Sequence, residues 1–424
     1  MTTAFLIAAP SSGSGKTTVT RMLMRLYTER GRRVQPFKCG PDYIDTKFHT
    51  AVCGRPSVNL DPFMASPQQL RQLYRHYSQD ADVCIVEGMM GLFDGYDRDR
   101  GSCAEVASVL GLPVVLVVDA RSAAYSLAPL LKGFKGFRSD VSIVGVIFNR
   151  VGSERHQRML RQVCADVGLH CLGCLPRQKE LETGERYLGL DFSGLSTKRP
   201  SPTEDGNGQT QGQDQRQTQG NEVYTPLSLR RGVGGEALIA FTAESFSFIY
   251  QQTIDLLRRV YGSVGFFNPE TDVPLLDRCS LLYLPGGYPE KHLQALADNG
   301  VCRSAISAFA ERGGRIIAEC GGMMYLCRSI VSDDGQWPMC GVLPYDITAR
   351  QADRKLSLGY RQFTLDGRQY RGHEFHYTQF MPPLPPSACQ VSNAVGEPVG
   401  TPVIKQGNVL ASYTHLYLNE TNIY

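Results

Sequence analysis

No stretch of this chain stays apolar long enough to cross a bilayer, and its opening residues carry no basic segment ahead of an apolar core. Neither a membrane span nor a secretory signal is therefore expected. Charge of one sign is scarce too. Lys and Arg number 44 against 41 Asp and Glu, a formal balance of +3 that excludes a broad basic surface for nucleic acid. The short cluster Arg30, Arg32 and Arg33 reads as a solvated face. A disulfide framework is missing: 13 scattered cysteines, an odd number, fit reduced thiols in a cytoplasm. Cys171-x-x-Cys174 has no second pair or neighbouring histidine to complete a zinc site, so it reads as thiols packed along a short strand. A single ordinary core is excluded by the length of 424 residues, and apolar content of 42% with 20% charged residues is a normal globular balance for two domains.

The first half alternates buried strands with helical stretches, which predicts a mostly parallel sheet covered on both faces. Between the strand Phe5 to Ala9 and a helix from Thr17 to Glu29 lies Pro10-Ser11-Ser12-Gly13-Ser14-Gly15-Lys16-Thr17-Thr18, a phosphate-binding loop. Its amides, from Gly13, Ser14 and Gly15 through Thr18, wrap a polyphosphate; Lys16 reaches the outer oxygens and the Thr17 hydroxyl can hold Mg²⁺. Pro10 stands where such loops usually begin with glycine. The strand-end loop Gly40-Pro41-Asp42-Tyr43-Ile44-Asp45 and the run Glu87-Gly88-Met89-Met90-Gly91, with Asp94 beyond it, sit where doubly wound sheets keep their ligands. Asp42, Asp45, Glu87 and Asp94 can gather near a γ-phosphate, with Glu87 as the second hand on the metal. A helix is expected from Ala123 to Gly133. Asn149 ends the last strand of this half, where its amide can read a base edge or cap a turn.

The stretch 198–235, in which glutamine recurs at alternate positions from Gln209 to Gln219, cannot bury apolar surface and reads as a flexible linker between domains 1–197 and 236–424. In the second domain a helix is expected from Phe246 to Val260. The apolar strand Arg315 to Glu319 ends on Cys320, and Gly321-Gly322 hands the chain to a helix. At such an elbow the free amides of the new helix favour a thiolate. His415, on an apolar run from Val409 to Leu416 that reads as one strand, is a candidate base. The glycine turn Gly286-Gly287, with Gly321, offers amides for the oxyanion of a tetrahedral intermediate.

Six motifs in one order, those containing Lys16, Asp42, Glu87, Gly286 and Cys320 together with Gly372-His373-Glu374-Phe375-His376-Tyr377, make the chain resemble the cobyrinic acid a,c-diamide synthases over nearly its whole length outside the linker. The resemblance implies two doubly wound α/β domains: an N-terminal ATP- and corrinoid-binding P-loop amidoligase domain similar to dethiobiotin synthetase, and a C-terminal class I glutamine amidotransferase domain, flavodoxin-like. It implies that Cys320 attacks glutamine, His415 keeps the sulfur nucleophilic, and ammonia passes internally to a carboxylate phosphorylated by ATP with Mg²⁺. It carries Asp42 and Glu87 over with Thr17 toward the metal, and Asp42, Tyr43, Asp45 and Asp94 toward the substrate or its intermediate. The implied partners are ATP, L-glutamine and cobyrinic acid, or the related macrocycles hydrogenobyrinic acid and nickel sirohydrochlorin; an oligomer is not excluded. Ordinary class I glutaminases have Glu two residues after the catalytic His, where this chain has Tyr417, with Glu420 further on. A Cys-His dyad is therefore expected. His373 and His376 flank Glu374 like a metal cluster, yet no further ligand is nearby, and a structural or interface role is favoured. A non-catalytic ATP switch is the reading from a different class, and the presence of both Cys320 and His415 argues against it.

Overall fold

A computed structural model describes residues 2–176 and 235–423. The linker expected over 198–235 lies outside these except for Gly235, which begins a strand. In the first domain β1 (Thr3–Ala8), α1 (Lys16–Glu29), β2 (Val34–Cys39), α2 (Ile44–Cys53), β3 (Val58–Leu60), α3 (Pro67–Ser78) and β4 (Val83–Glu87) follow one another. They lead on to α4 (Cys103–Leu110), β5 (Val114–Asp119), α5 (Leu127–Phe137), β6 (Ile143–Val151), α6 (Glu154–Val167) and β7 (His170–Pro176). The strands form one seven-stranded sheet in the order β3-β2-β4-β1-β5-β6-β7, parallel at every pair. Such a sheet is covered on both faces, which is why β1, β4 and β5 read as nearly continuous apolar runs. The central strand β1 lies between β4 and β5, neither its neighbour in sequence, so the phosphate loop leaves the sheet at its switch point. The expected helix 123–133 is displaced: residues 123–126 are turn, and α5 runs on past Gly133 to Phe137.

The second domain begins with β8 (Gly235–Ala240), α7 (Gln251–Tyr261), β9 (Gly262–Phe267), β10 (Cys279–Leu284), α8 (Leu293–Asp298), α9 (Gly300–Glu311), β11 (Ile316–Glu319) and α10 (Gly321–Leu326). Then come β12 (Cys327–Ser332), β13 (Gly335–Pro338), β14 (Leu343–Thr348), β15 (Ser357–Leu365), β16 (Arg368–His376) and β17 (Gln379–Phe380). The chain closes with β18 (Val391–Ser392), β19 (Pro398–Val399), β20 (Val403–Gln406), β21 (Val409–Ser412) and β22 (His415–Leu416). Its main sheet is β20-β21-β11-β10-β8-β9, and two smaller sheets, β13-β12-β14-β17 and β19-β18-β15-β16-β22, flank it. Two expectations are corrected here. Residues 246–250 are not helical, because Phe248 bridges Gly286 and both Ser247 and Phe248 donate to the Gly286 carbonyl; α7 starts only at Gln251. The run 409–416 is not one strand. It breaks at Tyr413-Thr414, leaving β21 in the main sheet and passing β22 to the outer sheet beside β16.

Side chains from both domains meet in one core, where Tyr250 and Tyr417 pack among the apolar residues of the first domain. Polar contacts surround them: Lys47 donates to Ser247 Oγ at 2.7 Å, Tyr77 to Asp255, and Arg371 to the Phe63 carbonyl at 2.8 Å. Tyr360 donates to Asp61 Oδ2 at 2.7 Å. Asp61 is fully buried, and burial pushes its pKa up to about 6 despite Tyr360 and two backbone amides. Tyr360→Phe deletes one donor to a buried carboxylate and is expected to destabilise the folded pair of domains by about 1–3 kcal/mol. Thermal unfolding measures this, and an unchanged melting temperature would deny the contact any part in docking.

Candidate active site

The phosphate loop owes its shape to two glycines with positive φ, Gly13 at 78° and Gly15 at 96°. Gly15 is required twice over, since a Cβ there would lie 2.2 Å from Asn149 Nδ2. Asn149 donates to the Ser14 carbonyl at 3.0 Å and so braces the loop from β6. Lys16 folds back on the Ser11 carbonyl at 3.3 Å, and burial lowers its pKa.

Behind the loop lies a buried ionic cluster centred on Glu87. Thr17 donates to Glu87 Oε1 at 2.6 Å, Lys38 to the same oxygen at 3.0 Å, and His49 Nε2 meets Oε2 at 2.6 Å. Burial opposes ionisation of Glu87, but His49 and Lys38 outweigh it and hold the carboxyl down at about 2. Burial likewise works against the Lys38 charge; Glu87, Asp42 and Asp45 overcome it and push its pKa up. Lys38 also donates to Asp45 at 2.5 Å and stands 3.7 Å from Asp42. Asp42 spends its other oxygen on the amides of Ile44 and Asp45, starting α2. Asp94 accepts from the Gly91 amide at 2.8 Å, closing the turn after β4. Thr17 and Glu87 present hard oxygens side by side at the phosphate loop, the donor set Mg²⁺ takes when phosphates and water complete its shell. No group of three or more His, Cys, Asp or Glu among the described residues could hold a metal by itself. Lys38 and His49 went unassigned in the sequence; a lysine ending the strand before the Gly40 to Asp45 loop was the available signal.

In the second domain Cys320 sits at φ 45°, a strained value for a non-glycine residue and the mark of a nucleophile elbow. Its N–H donates to the Ser412 carbonyl at 2.8 Å, tying the elbow to β21, and the Gly321 amide faces its sulfur. Gly322 must lack a side chain, for a Cβ would stand 2.0 Å from the Leu284 carbonyl. The glycine turn touches both partners of the expected dyad. A Cβ on Gly286 would strike the His415 imidazole at 2.1 Å, and one on Gly321 would come within 3.0 Å of the Gly287 nitrogen.

The surroundings of Cys320 work against the expected thiolate. Burial first, then Glu290, push the Cys320 pKa up, and the single Gly321 amide does not offset them. Burial, with His373 next, brings His415 down to about 3, and its Nδ1 has no partner. The resting pair is thus neutral thiol and neutral imidazole. His373 and His376 lie on opposite faces of β16, because three residues is an odd step along a strand. His376 is held by Glu374 at 2.7 Å and the Thr378 carbonyl at 2.8 Å, while Glu374 also binds Arg361 at 2.6 Å. Cys171 and Cys174 lie with sulfurs 3.9 Å apart on β7.

One cavity of about 800 Å³ joins the two halves, lined by Asp42, Tyr43 and Asp94 on one side and by His415, Tyr288 and His373 on the other. Tyr43 reaches across: its ring is 5.4 Å from Phe248, 4.5 Å from Tyr250 and 5.2 Å from His415.

The chain matches the CobQ/CobB/MinD/ParA nucleotide binding domain over residues 5–188 and the CobB/CobQ-like glutamine amidotransferase domain over residues 238–423. It is 38% identical to hydrogenobyrinate a,c-diamide synthase of Rhizobium meliloti over 97% of this chain and 98% of that one. It is equally similar, over the same shares, to the enzyme of that name in Brucella abortus, and 37% identical to the one in Pseudomonas aeruginosa over 98% of this chain and 94% of that one. No helix among the described residues is long and apolar enough to cross a membrane.

Glu319, beside the nucleophile, also went unassigned. Fully buried, it is pushed up to about 8 by burial, against the Tyr283 phenol and the Leu416 amide, and its Oε1 has no partner. Between 4.5, its ordinary value, and about 8 the folded chain keeps a proton that the unfolded chain releases, so this residue subtracts stability progressively as pH rises through that window. Glu319→Gln removes the dependence. Its advantage in melting temperature over the wild type is expected to grow from about pH 5 to about pH 8; a constant or shrinking difference would contradict a protonated Glu319.

Proposed function

The chain belongs to the a,c-diamide synthase family of glutamine-hydrolysing, nucleotide-binding ligases, and from that premise we propose that it converts two acetate carboxylates of a tetrapyrrole, hydrogenobyrinic acid, into amides at the expense of ATP and glutamine. The observation that carries the reading is the single cavity reaching from Asp42 and Asp94 to His415. The relatives are named for hydrogenobyrinate, which favours the metal-free macrocycle over cobyrinic acid.

The proposed chemistry divides between the domains. As Cys320 Sγ attacks the glutamine side-chain amide, the thiol proton passes to the His415 imidazole, which returns it to the departing ammonia. The amides of Gly321 and Gly287 are available to the oxyanion. Collapse of the adduct leaves a thioester and releases ammonia, and water then frees glutamate. In the first domain the phosphate-loop amides and Lys16 bind ATP, and a substrate carboxylate oxygen takes the γ-phosphoryl group. Ammonia displaces phosphate from the acyl phosphate, forming the amide. Lys38, held charged by three carboxylates, supplies fixed positive charge beside that transfer, and Asp42, Asp45 and Asp94 line the approach. Thr17 and Glu87 would hold Mg²⁺, which when bound neutralises phosphate charge.

Incubation with glutamine, Mg-ATP and either hydrogenobyrinic or cobyrinic acid, followed by mass analysis, is expected to give a diamide from the metal-free acid. Conversion of cobyrinic acid alone would move the assignment to the cobalt compound. Cys320→Ala is expected to abolish glutamine-dependent turnover while ammonium salts still support amidation. Loss of both activities in a folded variant would refute the division of labour.

A further inference from the structure

The hairpin β15–β16 presents one face to the first domain, and its strand alternation sorts that face into two parts. Tyr360 opposite His373 and Gln362 opposite Arg371 make up the inner part. It fastens the domains, through Tyr360 to Asp61 and Arg371 to the Phe63 carbonyl. Two residues further out, Leu358 pairs with Phe375, and just beyond the ends of the two strands stand Leu356 and Tyr377. Here the face no longer touches a partner domain: Leu358 is 54% exposed, Leu356 48%, Tyr377 46% and Phe375 37%. Leu358 and Phe375 line the shared cavity, and Phe375 packs edge-on against Tyr377 at 5.8 Å. Across the same cavity the loops that carry Asp42 and Asp94 present two more exposed apolar side chains, Ile44 and Met90.

Exposed apolar side chains on two facing walls of one cavity are costly to leave in water and mark a binding surface. The charged side chains lining this cavity are Asp42 and Asp94 on the first-domain wall and Arg361 on the β15 wall. The tetrapyrrole acid proposed above combines a broad apolar body, which the two apolar walls match, with peripheral carboxylates. We propose that Leu358 and Phe375, extended by Leu356 and Tyr377, form a ledge on the glutaminase domain that seats the ring face of the macrocycle, while its acetate arms turn to the Asp42 loop. The proposal rests on the function given above and reassigns ring binding, which the sequence places in the first domain, to the second. One domain then grips the ring while the other performs the chemistry, so the macrocycle binds only where both are docked.

The test uses the full-length enzyme carrying Leu358→Ser and Phe375→Ala, both at exposed positions where folding is not at stake, with Leu275→Ser, at an 87% exposed residue outside the cavity lining, as control. Steady-state kinetics with hydrogenobyrinic acid are expected to show the macrocycle KM rising about ten-fold or more in the double variant, the loss of contact for two apolar side chains. The KM for ATP stays within about two-fold, as does every constant of the control. An active wild type whose macrocycle KM is unmoved in the double variant overturns the ledge and leaves the function standing. So does a loss confined to kcat. A wild type inert toward every tetrapyrrole overturns the function itself, and the ledge with it.

Discussion

The phenol ring of Tyr43 is the contact on which the rest of the structure turns. It belongs to the loop that holds Asp42 and Asp45, yet it packs among Phe248, Tyr250 and His415 of the other domain. Asn59 of β3 holds the loop from its own sheet, donating to the Gly40 and Asp42 carbonyls, while Tyr43 ties it to the other domain. Burial pushes the Tyr43 pKa well up, with Tyr250 and Glu319 adding to it. The ring is packed by aromatic side chains of the other domain. One ring thus belongs to the Asp42 loop and abuts the His415 imidazole of the other domain.

The two centres use opposite electrostatics. Around Glu87, buried charges of both signs compensate: one lysine faces three carboxylates, and a threonine and a histidine saturate the innermost of them. Breaking such a cluster leaves an unpaired buried charge, so it persists as a preorganised field next to the phosphate loop. Around Cys320 the protein instead removes charge. Thiol, imidazole and Glu319 are all driven to their neutral forms chiefly by burial.

Much of this was legible in the chain. The phosphate loop, the elbow and the glycine turn are local devices whose geometry depends on neighbouring residues, and the apolar runs of β1, β4 and β5 follow from a sheet buried on both faces. Lys38 and His49 were not legible as partners of Glu87, because 49 and 38 residues separate them from it and only the sheet order β2-β4-β1 brings them together. The break at Tyr413 was hidden by unbroken hydrophobicity. Burial in two successive sheets looks the same as burial in one, and the pattern carries no mark of the crossing.

By itself the sequence determined the α/β class, the phosphate loop from Gly13 to Thr18 and the elbow at Cys320, since each is written in side-chain type and spacing within about a dozen residues. Tertiary structure alone decided the ionisation of these groups and their grouping into one cavity. Protonation state depends on the solvent a fold excludes, and the cavity on how two sheets dock. Neither quantity exists along an extended chain.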